Sequence, residues 1–327
     1  MSHTNGFVLV TGATGAQGGA VARSLLSAGT AVRVLARNVA SPAAVELQRL
    51  GAEVAQGDWD DSDSLDACMR GAHGVFSVQR PDADNSDSER RHGQNLVAAA
   101  MRAGVRHFVH TSVCEAGKHT EFPRWESGYW YQKYWTDKWD VEEYVRGAGF
   151  EHCTILKPAF LMDNFAAPKA ARMFPHLREG RILTALTPET RLQMIAADDI
   201  GAFARAALIQ PEQFDHCNID LAAEALTMSE VARMLSAALH KRVVAEHVSP
   251  KEARAAGVFA GWTRTQEWIN EVGYRANIPS LAKFDVPLTS FASWLDRHSC
   301  EIEVDSNAAT PMRTPSRMES SGGGTAT

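Results

Sequence analysis

The sequence predicts an α/β protein built on a doubly wound, mostly parallel sheet, with a smaller C-terminal α/β domain. Three observations carry this expectation. An apolar, strand-like run breaks into glycines spaced G-x-x-G-x-x-G, at Gly12, Gly15 and Gly18, and passes straight into a helix pattern, the whole stretch occupying residues 8–26. Strand runs and amphipathic helix runs then alternate as far as Lys157-Pro158, the pattern of successive βαβ units. Beyond that point the alternation loosens into shorter strands and helices. The expected organisation is a sheet domain over residues 5–157, a smaller closing domain over 158–300 interleaved with it or separate, and a disordered tail over 301–327, where PMRTPSRMESSGGGTAT lacks apolar periodicity.

The glycine turn carries the first chemistry. Gly12 permits a sharp exit from the strand, Gly15 lets backbone approach a pyrophosphate, and Gly18 allows the new helix to pack tightly on the sheet. The helix N-terminus then presents free N–H groups and the positive end of its dipole to the phosphates. This is the dinucleotide turn of a Rossmann sheet, and its strand-turn-helix context sets it apart from a chance glycine match.

The following elements can be justified in order. TAVRVLAR alternates like a strand and ends at Arg37-Asn38, about twenty residues past the turn, where an acid would accept from an NAD ribose. A guanidinium there suits a 2′-phosphate and favours NADP(H); the alternative is a solvated arginine at a strand end. Ser41-Pro42 reads as an N-cap with proline in the first helical turn. The third strand, AEVAQ, runs into Gly57-Asp58-Trp59, where Asp58 can accept from an adenine amino group and Trp59 cover the ring, or Asp58 can instead serve the helix start that follows. The fourth strand, AHGVFSV, ends at Gln79-Arg80, and the fifth, VRHFVHTSV, carries Ser112 at its end. Residues 114–139 then hold four tryptophans and three tyrosines, a density suggesting pocket walls. Tyr134 and Lys138 fall four apart at the start of a helix pattern and so share one face. EHCTILKPAF is the sixth strand, and Thr227-x-x-Glu230 is a capping box for a helix in the closing domain.

Composition narrows the function classes. The 327 residues are 45% hydrophobic and 22% charged, and the net charge of −6 without a dense basic run argues against direct nucleic-acid binding. No uninterrupted apolar stretch reaches membrane-spanning length and the first residues lack signal-peptide character, so a cytoplasmic protein with no membrane partner is expected. The five cysteines are scattered without a CxxC pair, so no metal site is expected. Cys114 lies two residues past Ser112 without an evident basic neighbour and reads as a buried structural thiol.

With these residues on the page, the chain resembles the NmrA-like branch of the atypical short-chain dehydrogenases/reductases. The likeness rests on VTGATGAQGG, VLARN, GAEVAQGD, DKWDVEEYVRGAG and LKPAFLMDNF and runs to about residue 299. The resemblance implies a Rossmann domain holding NADP(H), with Gly12, Ala13, Thr14, Gly15, Ala16 and Gln17 on the pyrophosphate. It implies Arg37 and Asn38 near the adenosine phosphate, Asp58 and Trp59 near adenine, and Gln79 and Arg80 at the fourth strand's end. It further implies Lys138 on the nicotinamide ribose, and Phe160, Leu161, Met162, Asp163 and Asn164 beside the nicotinamide.

The same resemblance divides on activity. Some members sense NADP(H) and regulate a partner protein, having lost the tyrosine of the superfamily's Tyr-x-x-x-Lys pair, and others transfer hydride to quinones or dyes. This chain keeps Tyr134 and Lys138, with Ser112 where the superfamily puts its third catalytic group. Hydride reaching a carbonyl or quinone builds negative charge on oxygen, so one group must supply a proton while a second donor holds the oxygen. Tyr134 is expected to be the acid, Ser112 the second donor, and Lys138, with the nicotinamide's charge, to lower the tyrosine's pKa. Two readings follow. One is an NADPH-dependent reductase of a small aromatic or carbonyl substrate, and the other a redox sensor acting through a regulatory protein partner, with Tyr134 merely one more ring in an aromatic segment.

Overall fold

In the computed structural model, which describes residues 6–79 and 87–305, the alternation resolves into a seven-stranded parallel sheet with helices on both faces. The first half runs β1 (Phe7–Val10), α1 (Ala16–Ser27), β2 (Val32–Ala36), α2 (Pro42–Arg49), β3 (Glu53–Gln56) and α3 (Ser62–Met69). It continues through β4 (Ala72–Ser77), α4 (Ser88–Arg102), β5 (His107–Thr111), α5 (Gln132–Gly147) and β6 (His152–Pro158). The central strands are covered on both faces, which is why Val8, Leu9 and Val10 are apolar without a break and no more than 1% exposed. Helix starts follow the capping chemistry of the sequence: Ser41 Oγ accepts from Ala44 N–H, and Asp61 caps α3 through Asp63 and Ser64 N–H.

The later chain is β7 (Phe160–Leu161), α6 (Ala170–Met173), β8 (Arg181–Thr184), β9 (Leu192–Ile195), α7 (Ala197–Ile209), α8 (Pro211–Phe214), β10 (Cys217–Leu221) and β11 (Glu224–Leu226). It ends with α9 (Met228–Leu239), β12 (Val244–His247), α10 (Pro250–Ala255), α11 (Ala260–Glu271) and α12 (Phe291–His298). The sheet order is β10-β6-β5-β4-β1-β2-β3, so β10, from beyond residue 158, extends the central sheet. Helix α7 packs on α1 so closely that a Cβ on Gly201 would stand 2.7 Å from the Ala20 carbonyl oxygen. Residues 197–221 therefore belong to the sheet layer, and the flanking segments build a second layer with the small sheets β11-β9-β7 and β12-β8. The capping box of Thr227 and Glu230 opens α9, and Ser249 and Glu252 form a second one on α10.

Two sequence expectations are corrected by this packing. The aromatic segment 114–139 is mostly core: Phe122, Trp125, Trp130 and Trp135 are buried, with Trp135 against Trp268 at a centroid distance of 4.8 Å. Rings of this size stabilise most when their area leaves water, and the second layer supplies the partners that the sequence pattern does not reveal. Residues 301–305, expected in the tail, pack instead. Ile302 and Val304 are buried in the same core, and Lys241 donates to the Val304 carbonyl. The remainder of the expected tail lies outside the described residues. Among the described residues no helix is long and apolar enough to cross a membrane.

Beneath the carboxyl ends of the strands, Ser77 on β4 and His110 on β5 meet in the interior. Gln79 Nε2 donates to Ser77 Oγ at 2.9 Å, and Ser77 Oγ lies 3.1 Å from His110 Nδ1. Burial, with the nearby Lys138 ammonium, pushes the His110 pKa down to about 3. The ring is therefore neutral in the fold at pH values where an unfolded chain protonates it, near pH 6.5. Stability from this group is fully present above about pH 6.5 and is lost as pH falls toward 3, at up to about 1.4 kcal/mol per pH unit. Urea unfolding at a series of pH values from 7 to 4 should show this fall, and His110→Gln should flatten its slope by close to one proton.

Candidate active site

The strand order reverses between β1 and β4, and there a cleft of about 670 Å³ opens along the carboxyl edge of the sheet. Its floor is the glycine turn. Gly12 takes φ +60°, and a Cβ on Gly18 would lie 2.5 Å from the Gly12 carbonyl, so only glycine lets α1 start this close to β1. Gly15 caps α1 without any side-chain acceptor, and the first turn carries no acid, leaving the helix N–H groups for an anion. Thr11 locks the turn by donating from Oγ1 to the Phe76 carbonyl at 3.1 Å and accepting from Val78 N–H at 3.0 Å. Thr111 Oγ1 donates to Gln17 Oε1 at 2.8 Å and holds that side chain at the cleft.

Of the residues expected to hold a dinucleotide, Gly12, Thr14, Gly15, Ala16, Gln17, Arg37, Trp59 and Gln79 line this one cleft. Arg37 is exposed at the end of β2, with no ion pair among the described residues. Trp59 stacks on His92 of α4, centroids 5.7 Å apart, and both reach the cleft. Other expected residues do not line it. The Ala13 methyl packs into the core beneath the turn. Asn38 Oδ1 accepts from Ala40 N–H, and Asp58 Oδ1 accepts from Asp60 N–H, so both side chains serve their own turns. Arg80 lies outside the described residues. The free helix terminus, the glycine approach and the volume, within the range of about 300–1,000 Å³ usual for such pockets, fit a dinucleotide.

Tyr134 and Lys138 share one face of α5, as their spacing requires, and both line the cleft with Ser112 from the end of β5. Lys138 Nζ lies 5.2 Å from the centroid of the Tyr134 ring. Ser112 Oγ is buried without a hydrogen-bond partner among the described residues, a cost that an oxygen or donor arriving in the cleft can relieve. The sequence did not reveal Glu89. Its carboxylate, on α4, accepts from Lys138 Nζ at 2.7 Å, and both side chains are more than nine-tenths buried.

That pair corrects the expected electrostatics. The sequence expectation has Lys138 lowering the Tyr134 pKa, whereas burial first, then Glu89 and Cys114, raises it above the ordinary phenol value. Glu89 offsets the ammonium that the sequence assigned to tuning the tyrosine. Cys114 itself is buried, with Sγ donating to the Lys157 carbonyl at 2.9 Å, and burial pushes its pKa well up. A second phenol, Tyr274, also lines the cleft, with its pKa pushed well above the phenol value by burial and then by Tyr134. Tyr274 is 140 positions from Tyr134, and no local pattern connects them.

At its other end the cleft passes into the second layer. Phe160, Leu161 and Asn164 line it, joined by Lys169, Met173, Phe259, Trp262 and Thr265. Met162, expected beside them, is fully buried in the second-layer core, and Asp163 turns to the start of α7, where Oδ2 accepts from Ala197 N–H at 2.9 Å. The short helical turn at residues 162–165 sends alternate side chains in different directions, so these five neighbours cannot all face one ligand.

Comparison with known proteins adds lineage. A (4-alkanoyl-5-oxo-2,5-dihydrofuran-3-yl)methyl phosphate reductase of Streptomyces griseus is 32% identical over 249 residues, 76% of this chain and 79% of that protein. An NmrA-like family domain-containing oxidoreductase of Aspergillus hancockii is 31% identical over 246 residues, 71% of this chain and 72% of that protein. Among solved structures, the Citrobacter sp. triphenylmethane reductase complexed with NADP(H) superposes with a TM-score of 0.72 at 24% identity, covering 89% of this chain and 99% of its own. The NmrA-like family model matches residues 4–291, and together with the glycine turn, the reversed strand order and the Tyr134–Lys138 face it shows that this chain belongs to the NmrA-like family.

Proposed function

We propose that this chain is an NADPH-dependent oxidoreductase that reduces a small quinone or carbonyl substrate. The observation that carries the reading is a single cleft lined at one end by the glycine turn and Arg37 and further along by Tyr134, Lys138 and Ser112. The oxidoreductase and reductase relatives, and the NADP(H) complex of a protein with the same fold, support it. NADPH, when bound, supplies the hydride. The N–H groups at the start of α1 hold its pyrophosphate, Gln17 adds a side chain fixed by Thr111, and the Arg37 guanidinium takes the 2′-phosphate.

Proton delivery falls to Tyr134. A phenol with a raised pKa keeps its proton at neutral pH, and an alkoxide is a stronger base than a phenolate, so donation to a reduced carbonyl oxygen runs downhill. Donation to a hydroquinone oxygen, itself phenolic, has no such drive, and there water can serve instead. Ser112 offers its unpartnered hydroxyl to the same oxygen, and Lys138, held by Glu89, would take the nicotinamide ribose.

Following nicotinamide absorbance with NADPH and a panel of quinones, aldehydes and dyes tests the assignment. Turnover of at least one class is expected; tight NADPH binding without turnover on any of them would transfer the function to redox sensing through a protein partner. Arg37→Ala should weaken NADPH about 10- to 100-fold and leave NADH nearly unchanged, as read by fluorescence titration. Equal losses for both cofactors would remove Arg37 from 2′-phosphate recognition.

Tyr134→Phe keeps the ring and deletes the hydroxyl. Aldehyde turnover should drop about 10²- to 10⁴-fold while NADPH affinity stays near wild type. Tyr274→Phe is the control, and a larger loss there would reassign the acid to Tyr274. The Glu89 charge helps raise the Tyr134 pKa, so removing it must lower that pKa. In Glu89→Gln the alkaline limb of the kcat/KM profile, where the acid loses its proton, should therefore move to lower pH. An unmoved limb would detach Glu89 from the reacting tyrosine.

A further inference from the structure

The substrate end of the cleft contains a cation that the reductase chemistry leaves unused. Lys169 lines that end beside Asn164, Met173, Phe259 and Trp262. Lys138, which also lines the cleft, is paired with Glu89 at 2.7 Å, and the buried Lys157 with Glu142 at 2.9 Å. The Lys169 ammonium has no ion pair or hydrogen bond among the described residues. Asp163, the acid whose field reaches it, is engaged elsewhere through Oδ2 on Ala197 N–H. The Asn164 amide likewise has no side-chain partner among the described residues. Around these donors the walls are flat and apolar. Trp262 stacks on Phe160 with centroids 4.8 Å apart and planes 28° from parallel, and Arg172 covers the Phe259 ring from 3.7 Å.

Resting on the reductase reading, we propose that Lys169, assisted by Asn164, makes this cleft selective for a planar substrate that carries an anionic group, a carboxylate or a phosphate. A cation desolvated without a counter-ion is costly, and burial duly pushes the Lys169 pKa below the ordinary lysine value against the opposing pull of Asp163. An incoming anion supplies the missing partner, and a flat ring can lie against the aromatic wall to which Phe160 and Trp262 contribute. A neutral planar substrate would lie against the same wall and leave the ammonium unpaired.

The test compares three aldehydes that differ only away from the reacting group: methyl 4-formylbenzoate, 4-formylbenzoate and 4-formylphenyl phosphate. In the wild type, kcat/KM for at least one anion should exceed that for the ester about 10-fold or more, chiefly through KM. Lys169→Met should cut the anion-to-ester ratio about 10- to 100-fold, and Lys169→Arg should restore part of it. Whichever anion shows the larger ratio identifies the group. An unchanged ratio, an equal loss on the ester, or a loss confined to NADPH affinity would overturn the proposal. Calorimetry of benzoate, phenyl phosphate and methyl benzoate with the full-length protein reads the same preference without turnover. If no aldehyde, quinone or dye is reduced but Lys169→Met abolishes a calorimetric preference for an anion, the reductase reading fails and the anion site stands. If aldehydes are reduced without any preference, the reverse holds.

Discussion

The approach of α1 to β1 is the constraint on which the remaining structure depends. Gly18 sits where any side-chain carbon would strike the backbone of Gly12 and Thr11 at 2.5 Å. That contact directs the start of α1 at the point where strand order reverses, and a second glycine contact, Gly201 on Ala20, brings α7 down onto the same helix. Because α7 leads through α8 to β10, this packing also draws the later chain into the central sheet. One small-residue seam thus creates an anion-ready helix end and secures residues 197–221 to the sheet layer beneath the cleft.

Charge pairs on α5 position the chemistry. Lys157 at the end of β6 donates to the Ala116 carbonyl at 2.8 Å and pairs with Glu142, whose other partner is Arg146, all on one side of the helix. Lys138 pairs with Glu89 one helical turn beyond Tyr134. Such buried pairs add little net stability relative to apolar packing, but removing one partner leaves a costly lone charge, so together they set the helix in one rotation and register. That rotation turns Tyr134 and Lys138 to the cleft. The same negative charge that secures Lys138 adds to burial in raising the Tyr134 pKa, so Glu89 bears on both side chains.

The second layer acts as a roof with an aromatic core. Phe165 lies flat on Phe174, Phe291 on Trp294, and Trp135 leans on Trp268, giving the layer a rigid interior. The cleft takes from this layer Tyr274, Phe259, Trp262 and Lys169, side chains of very different chemistry on short elements. The sheet edge is thereby specialised for a dinucleotide and the roof for whatever meets it there, a division common to folds in which binding function resides in segments grafted onto a shared sheet.

By itself the sequence determined what local chemistry controls. The strand-helix alternation, the glycine turn, the caps at Ser41 and Thr227, and the shared face of Tyr134 and Lys138 all follow from periods of two and 3.6 residues and from backbone demands met within a few positions. Tertiary structure decided whatever depends on partners distant in the chain. It turned Met162 and Asp163 away from the cleft, sent the tryptophans of 114–139 into a core, and packed residues 301–305 against it. It also brought Glu89 to Lys138 across 49 positions and Tyr274 to the side of Tyr134, reversing the expected direction of the tyrosine's pKa. A pKa is set by burial and by the sum of nearby charges, quantities that exist only once the chain has closed around the group.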